Sequence, residues 1–199
     1  MALTTITISL SVASLSFGNK VAYLCRPFLG QPHYIQHWFR YGLSVIALII
    51  YAATFFTFFF LPKHYRHQAT AALLFSFPGT LTRYLLSVYL NRCLKVFPLG
   101  TLSANLLGSA LLAAFFVIQS TPSPPSQNAC DVLQGLMDGY CGCLTTVSTF
   151  AAELWDLKFR KACRYAILSW VLGQAVMVLI IGSSLWTERI EKQVTCRFH

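Results

Sequence analysis

The sequence predicts an all-α protein built into a membrane, and its composition and the length of its apolar runs carry that prediction. Of its 199 residues, 56% are hydrophobic, 15% are aromatic and only 11% are charged. A soluble domain of this length has too little interior to bury so much apolar surface. The apolar residues also form runs about as long as a helix needs to cross a hydrocarbon core. We therefore expect a lipid bilayer to surround much of the chain.

Basic residues exceed acidic ones, since Lys and Arg total 15 and Asp and Glu total 6. In a soluble protein such an excess would suggest nucleic acid as a partner. Here the basic residues lie between apolar runs, where they set the orientation of membrane helices. The sequence has no interleaved basic and aromatic patch of the kind that binds single strands. Nucleic acid is therefore excluded as a partner.

The chain opens with a short apolar run at residues 2–17, rich in Ser and Thr. This run has no basic segment before it, which makes it a poor match to a signal peptide. It is also short for a spanning helix, which needs roughly 20 residues. Residues 19–40 contain basic residues, prolines and histidines and are predicted to form a cytoplasmic loop. Residues 41–61 are the clearest spanning helix, because they carry no charge and end at Pro62.

Four further apolar stretches differ from residues 41–61, because each contains polar residues. They cover residues 69–90, 99–120, 132–154 and 162–186. The segments that join them are short, which favours an antiparallel arrangement of four helices. Residues 69–186 are therefore predicted to be one helical domain, and residues 187–199 its C-terminal tail.

The charges of the loops predict the orientation of these helices. If the helices alternate in direction, nine basic residues lie in loops 18–40, 91–98 and 155–164, and five lie on the opposite side. The positive-inside rule then places those loops in the cytoplasm and the C-terminus outside. The seven cysteines show no paired metal-binding spacing. We interpret them as small polarizable side chains that pack between helices.

Arg83 is a charged residue within an apolar stretch, and such a residue needs a partner or a purpose. It is interpreted either as a side chain that reaches the nearer membrane interface or as a fixed charge that draws anions. Farther along, Thr101, Asn105 and Ser109 recur every four residues and form one polar helix face. The residues alone favour an ordinary hydrogen bond from Asn105 to a neighbouring helix.

Residues 139–150 contain two glycines followed by four hydroxyl side chains, which is a poor pattern for a continuous helix. Broken backbone at membrane depth requires protein, water or an ion for its freed groups. Converging carbonyls there favour a small cation. The alternative is a seam of small residues for packing, which the flanking Asp138 and Glu153 make less favoured.

Two more polar positions belong to the last two helices. Glu153 shares a helix face with Phe150, and its simpler interpretation is a carboxylate paired with the basic turn that follows. Tyr165 and Ser169 form a polar stripe whose simpler interpretation is hydrogen bonding between helices. No nucleophile, base and orienting group occur together, and all five histidines lie in predicted loops or tails. A permeation path is therefore favoured over an enzyme.

Three sequence blocks resemble the signatures of the Fluc/CrcB fluoride channels: GTLTRY at 79–84, FPLGTLSAN at 97–105 and GYCGCLTTVSTF at 139–150. They occur in the family's order on the corresponding helices, and three spaced blocks are a specific signal. More closely, the chain looks like the C-terminal half of the fungal two-domain fluoride exporters, often called FEX. The resemblance implies a four-helix channel domain with a broken third helix at 69–186. It also implies that 41–61 is a linker helix and that 1–18 is the partial last helix of a truncated first domain.

The resemblance also implies roles for individual residues. Asn105 would hydrogen-bond fluoride, with Thr101 on the same face. Phe150 would be one of two phenylalanines whose electropositive ring edges line the path. The second is Val147 here, a departure that leaves only part of the aromatic lining. The polar track would include Thr146, Ser148, Glu153, Tyr165 and Ser169, and Arg83 would be the signature arginine of the first helix.

The implied cofactor is a structural sodium ion held by the backbone carbonyls of Gly142 and Thr145. The implied partner, besides fluoride and lipid, is an antiparallel second domain, either fused upstream or supplied by a homodimer. The expected function is fluoride-selective export by a multi-pass protein of the plasma membrane. The alternative is a non-conducting fragment or membrane subunit that needs a partner domain.

Overall fold

A computed structural model describes residues 2–29, 37–60, 68–92, 97–122, 125–187 and 196, and every regular element in them is helical. The elements in chain order are α1 (Ala2–Leu29), α2 (His37–Phe60), α3 (Gln68–Leu90), α4 (Leu99–Gln119), α5 (Gln127–Gly135), π1 (Leu136–Cys141), α6 (Gly142–Leu144), α7 (Val147–Asp156), α8 (Phe159–Met177), π2 (Val178–Gly182) and α9 (Ser183–Trp186). The π-helical segments π1 and π2 continue their neighbours, so α5 to α6 and α8 to α9 each read as one long helix.

The described residues contain four helices that are long and apolar enough to cross a membrane, namely His37–Phe60, Thr70–Leu90, Leu99–Gln119 and Phe159–Trp186. This confirms the predicted all-α membrane protein. The first of them, α2, buries none of its residues, as expected of a helix that faces lipid. It contacts α3 through Tyr51, whose hydroxyl donates to the Leu74 carbonyl at 3.3 Å and whose ring lies 5.4 Å from that of Phe77.

The predicted break in the third helix of the domain is confirmed. The chain leaves helical geometry at Thr145 (ψ 147°) and Thr146 (φ −149°, ψ 125°) and resumes it at Val147. Extended backbone suits β-branched threonine, whose χ1 is restricted in a helix. The helix also begins earlier than the predicted residue 132: it starts at Gln127, so residues 127–131 are helical as well.

The predicted loop at 19–40 is wrong in its bounds. Helix α1 continues to Leu29, and α2 already begins at His37. Gly18 and Lys20 do not end α1, because glycine costs only about 1 kcal/mol inside a helix and lysine favours helix. Helix α1 also packs against α7, a tertiary contact that the local sequence does not reveal. Residues 30–36 lie outside the described residues, as does the predicted tail except for Thr187 and Cys196.

Glycines bring α3 very close to the first half of the broken helix. A Cβ added at Gly79 would overlap the backbone of Tyr140, and a Cβ at Gly139 would overlap the carbonyl of Ala72. Small residues allow two helix backbones to approach in this way inside a membrane, where packing replaces the hydrophobic effect. This contact packs the first half of the broken helix tightly against α3, which is continuous.

The interpretation of all cysteines as packing residues is wrong for two of them. Cys130 and Cys196 form a disulfide with a Cα–Cα distance of 5.8 Å, and the pair is 66 residues apart in sequence. Closing a loop of that length is worth roughly 4 kcal/mol in the chain-entropy model. Because the partners are distant in sequence, their spacing gave no signal. Among the described residues Cys141, Cys143 and Cys163 are free thiols.

Candidate functional site

The break in the helix is held by the side chain of Asn105 in α4. The N–H of Thr146 donates to Asn105 Oδ1 at 2.8 Å, and Asn105 Nδ2 donates to the Thr146 carbonyl at 3.4 Å. One amide side chain therefore satisfies both backbone groups of the extended residue, which an interior without water requires. The expected bond from Asn105 to a neighbouring helix exists, and its partner is the backbone of the break.

The side chain of Thr146 caps the second half of the broken helix. Its hydroxyl accepts from the N–H of Thr149 at 3.4 Å and lies 3.3 Å from Ser148 Oγ. Threonine is a favoured N-cap because its oxygen satisfies an N–H that the first helical turn leaves unpaired. The first turn of α7 thus starts at a polar, capped end placed within the membrane-spanning bundle.

Because of these two arrangements, the carbonyls of Gly142 and Thr145 lack the N–H partners that a continuous helix would provide. In a continuous helix the N–H of Thr146 would bond to the Gly142 carbonyl, and that of Thr149 to the Thr145 carbonyl. Here those N–H groups bond to Asn105 and to the Thr146 hydroxyl. Gly142 is exposed and Thr145 is half-buried. Neither carbonyl therefore receives the N–H that a continuous helix would give it.

The carboxylate of Glu153 is bound by two hydroxyl groups from different helices. Thr101 Oγ1 of α4 donates to Oε1 at 2.5 Å, and Tyr165 OH of α8 donates to Oε2 at 2.8 Å. The simpler interpretation, a pair with the basic turn after α7, is therefore wrong. This network ties α4, α7 and α8 together next to the break.

Two phenylalanines enclose the ring of Tyr165, which is fully buried. The ring of Phe97 meets it edge-on with centroids 4.9 Å apart, and the ring of Phe150 lies tilted at 5.1 Å. Aromatic pairs at this separation add about 0.5–1.5 kcal/mol beyond the area they bury. Phe150 therefore helps to position the hydroxyl that binds Glu153, a role that its place in the sequence did not reveal.

The remaining predicted residues lie at the margin of this site. Ser169 stands one helical turn beyond Tyr165, and its hydroxyl oxygen is buried with no hydrogen-bond partner among the described residues. Val147 is 43% exposed directly after the break. Arg83 is half-buried on α3. None of the hydrogen bonds that join Asn105, Thr146 and Glu153 involves Arg83, so the structure does not bring it into this network.

The sequence reasoning missed a second contact between α3 and the broken helix. Tyr140 OH donates to Thr82 Oγ1 at 3.2 Å, next to the close approach of Gly79. Thr82 lies in the sequence block 79–84 and Tyr140 in the block 139–150. Their place in these blocks was the only hint in the sequence that either residue matters. Their pairing depends on how two helices pack, which local pattern does not encode.

Removing the hydroxyl of Tyr165 tests the network around Glu153. The substitution Tyr165→Phe keeps the ring between Phe97 and Phe150 but leaves one carboxylate oxygen without its donor. We expect it to lower the free energy of unfolding by about 1–3 kcal/mol. Thermal unfolding in detergent measures this, with the exposed Tyr41→Phe as the control. Equal stability of the two variants would contradict the role given to the hydroxyl.

Comparison with known proteins shows similarity to one family over this region. The family model described as CrcB-like protein, Camphor Resistance (CrcB), matches residues 70–182. The chain is 46% identical over 126 residues to Fluoride export protein 1 of Neurospora crassa, covering 63% of this chain and 24% of that protein. It is 44% identical over 125 residues to Fluoride export protein 1 of Candida albicans, covering 59% of this chain and 32% of that protein.

A bacterial relative is covered more completely. The chain is 36% identical over 110 residues to the Fluoride-specific ion channel FluC of Escherichia fergusonii, covering 55% of this chain and 79% of that protein. The chain thus spans 24% and 32% of these two fungal proteins and 79% of this bacterial one. No solved structure matches the chain.

Proposed function

Because this chain belongs to the family of CrcB-like proteins, we propose that it forms one half of a fluoride-selective channel that exports fluoride from the cell. The observation that carries the proposal is the broken helix, whose extended residue Thr146 is held by Asn105 within the bundle. Broken backbone at membrane depth is tolerated where it is buried in protein or lines a water-filled cavity, and selectivity filters and transporter sites contain such segments.

The geometry suits a small anion at the start of α7. The first turn of a helix leaves N–H groups without intrahelical partners and carries partial positive charge. Hydroxyl donors of Ser148 and Thr149 are exposed beside this end. The amide group of Asn105 has two N–H donors. One donates to the Thr146 carbonyl, and the other is available to fluoride. Several close donors are what a strongly hydrated anion needs when it loses water.

A liposome efflux experiment tests the proposal. The chain is reconstituted alone and together with a first domain from a fungal relative, and fluoride release is followed with a fluoride electrode. We expect at least one of the two preparations to release fluoride but not chloride. Release no faster than from protein-free liposomes in both would contradict it. Efflux only with the added domain would favour the alternative, a subunit that does not conduct without a partner.

For the cofactor, we propose that the carbonyls of Gly142 and Thr145 bind a structural sodium ion. The support is that both carbonyls lose their helical donors at the break and that Gly142 is exposed. A second, antiparallel domain would bring matching carbonyls to the same place. The ion would supply only charge and coordination. Thermal unfolding in sodium compared with N-methylglucamine measures the effect, and an identical Tm in both would contradict the site.

For location, we propose a multi-pass protein of the plasma membrane with its C-terminus outside. The disulfide between Cys130 and Cys196 supports this orientation, since disulfides persist in oxidising compartments and are rare in the cytosol. It joins the end of the bundle that the loop charges place outside.

Thiol labelling of intact cells tests the orientation. We expect a membrane-impermeant maleimide to label the protein only after an impermeant reductant has opened the bond. The double variant Cys130→Ser, Cys196→Ser should lose that reductant-dependent labelling. Labelling that requires permeabilised cells would place this end inside and overturn the proposal.

A further inference from the structure

A cavity of about 450 Å³ lies between α1 and the end of α7, away from the site around the break. Its walls are Ser16, Lys20, Tyr23, Leu24 and Trp155. Four of these residues recur at helical spacing on one face of α1, and Trp155 closes the opposite side from α7. The volume falls in the range of roughly 300–1,000 Å³ that small-molecule sites occupy.

The lining combines one cation with amphipathic aromatic side chains. Lys20 is exposed. The side chains of Tyr23 and Trp155 are 75% and 60% exposed. Tyrosine and tryptophan concentrate where the bilayer meets water, because each has an apolar body and a polar tip. We therefore expect the cavity to lie near the membrane interface, with Leu24 as an apolar wall.

The residues that follow Trp155 along the chain are mainly basic. Lys158 and, in the first turn of α8, Arg160 and Lys161 are all exposed, against the single acid Asp156. Basic pockets between membrane helices on the cytoplasmic side bind anionic headgroups. The charge count of the loops places this end of α7 in the cytoplasm, where anionic phospholipids are abundant.

We propose that this cavity binds one anionic glycerophospholipid of the inner leaflet, with its phosphate at Lys20 and its chains along Tyr23, Leu24 and Trp155. Charge complementarity decides for a lipid with a net negative headgroup over a zwitterionic one. The choice of leaflet depends on the orientation proposed above, whereas the binding itself does not depend on fluoride conduction. The lipid would attach α1 to α7 and so stabilise their contact.

Lipid titration in neutral detergent tests this. We expect phosphatidylserine to raise the Tm saturably and to remain bound in native mass spectrometry, with phosphatidylcholine giving a clearly smaller rise. Lys20→Ala should weaken phosphatidylserine binding about fivefold. Trp155→Ala should weaken it as well, by removing one wall. The control is Arg92→Ala, which removes an exposed positive charge predicted on the same side without touching the cavity.

Three results would overturn the proposal. The first is an equal response to phosphatidylserine and phosphatidylcholine. The second is the same stabilisation by inorganic phosphate, which would indicate a free-anion site. The third is equal weakening in Lys20→Ala and Arg92→Ala, which would indicate a diffuse charge effect. None of these depends on the fluoride assay, so failure here is distinguishable from failure of the proposed channel.

Discussion

Replacing Asn105 with alanine is expected to reduce fluoride efflux to the rate of protein-free liposomes. The substitution removes the N–H donor proposed to face fluoride. It also leaves the N–H and the carbonyl of Thr146 without their side-chain partner. An unpaired buried backbone group costs about 1–3 kcal/mol, so some loss of stability accompanies the loss of conduction.

A second variant separates these two effects. Asn105→Asp keeps an oxygen that can accept from the N–H of Thr146 but replaces the donor amide with a carboxylate, which repels an anion. We expect Asn105→Asp to fold and yet not conduct. Asn128→Ala serves as the matched control, because Asn128 is exposed on α5. Wild-type efflux from well-folded Asn105→Ala or Asn105→Asp would disprove the assignment of Asn105 to the path.

Replacing Gly139 with alanine should prevent the domain from assembling. A single added methyl group would overlap the carbonyl of Ala72 in α3, and the obstacle is backbone that cannot rotate away. Overpacking a tight interface costs about 1–3 kcal/mol when side chains can move, and more when they cannot. We expect a loss of the monodisperse peak in size-exclusion chromatography, or a large fall in Tm.

Gly42→Ala and Gly173→Ala are the controls for this substitution, since a Cβ at either position meets nothing within 4 Å. Both should fold as the wild type does or slightly better, because alanine favours helix over glycine by about 1 kcal/mol. If Gly139→Ala were as stable as Gly42→Ala, the close packing of α3 on the broken helix would be wrong.

The sequence alone determined the class of protein and the positions of its long apolar helices. Hydropathy is local, so the runs at 41–61, 69–90 and 99–120 predicted α2, α3 and α4 with small differences in their ends. The break was equally local, because glycines and hydroxyl residues in residues 139–150 disfavour a continuous helix. The family blocks singled out Asn105, which the structure joins to Thr146.

Only the tertiary structure decided which distant groups meet. The partners of Glu153 are Thr101 and Tyr165, separated from it by 52 and 12 residues, and sequence pattern favoured the basic turn instead. The bond between Cys130 and Cys196 and the extension of α1 to Leu29 also depend on how helices pack. Periodicity records which side of each helix avoids lipid or water. It does not record the rotation and spacing of one helix against another, and those set the contacts between helices at this site.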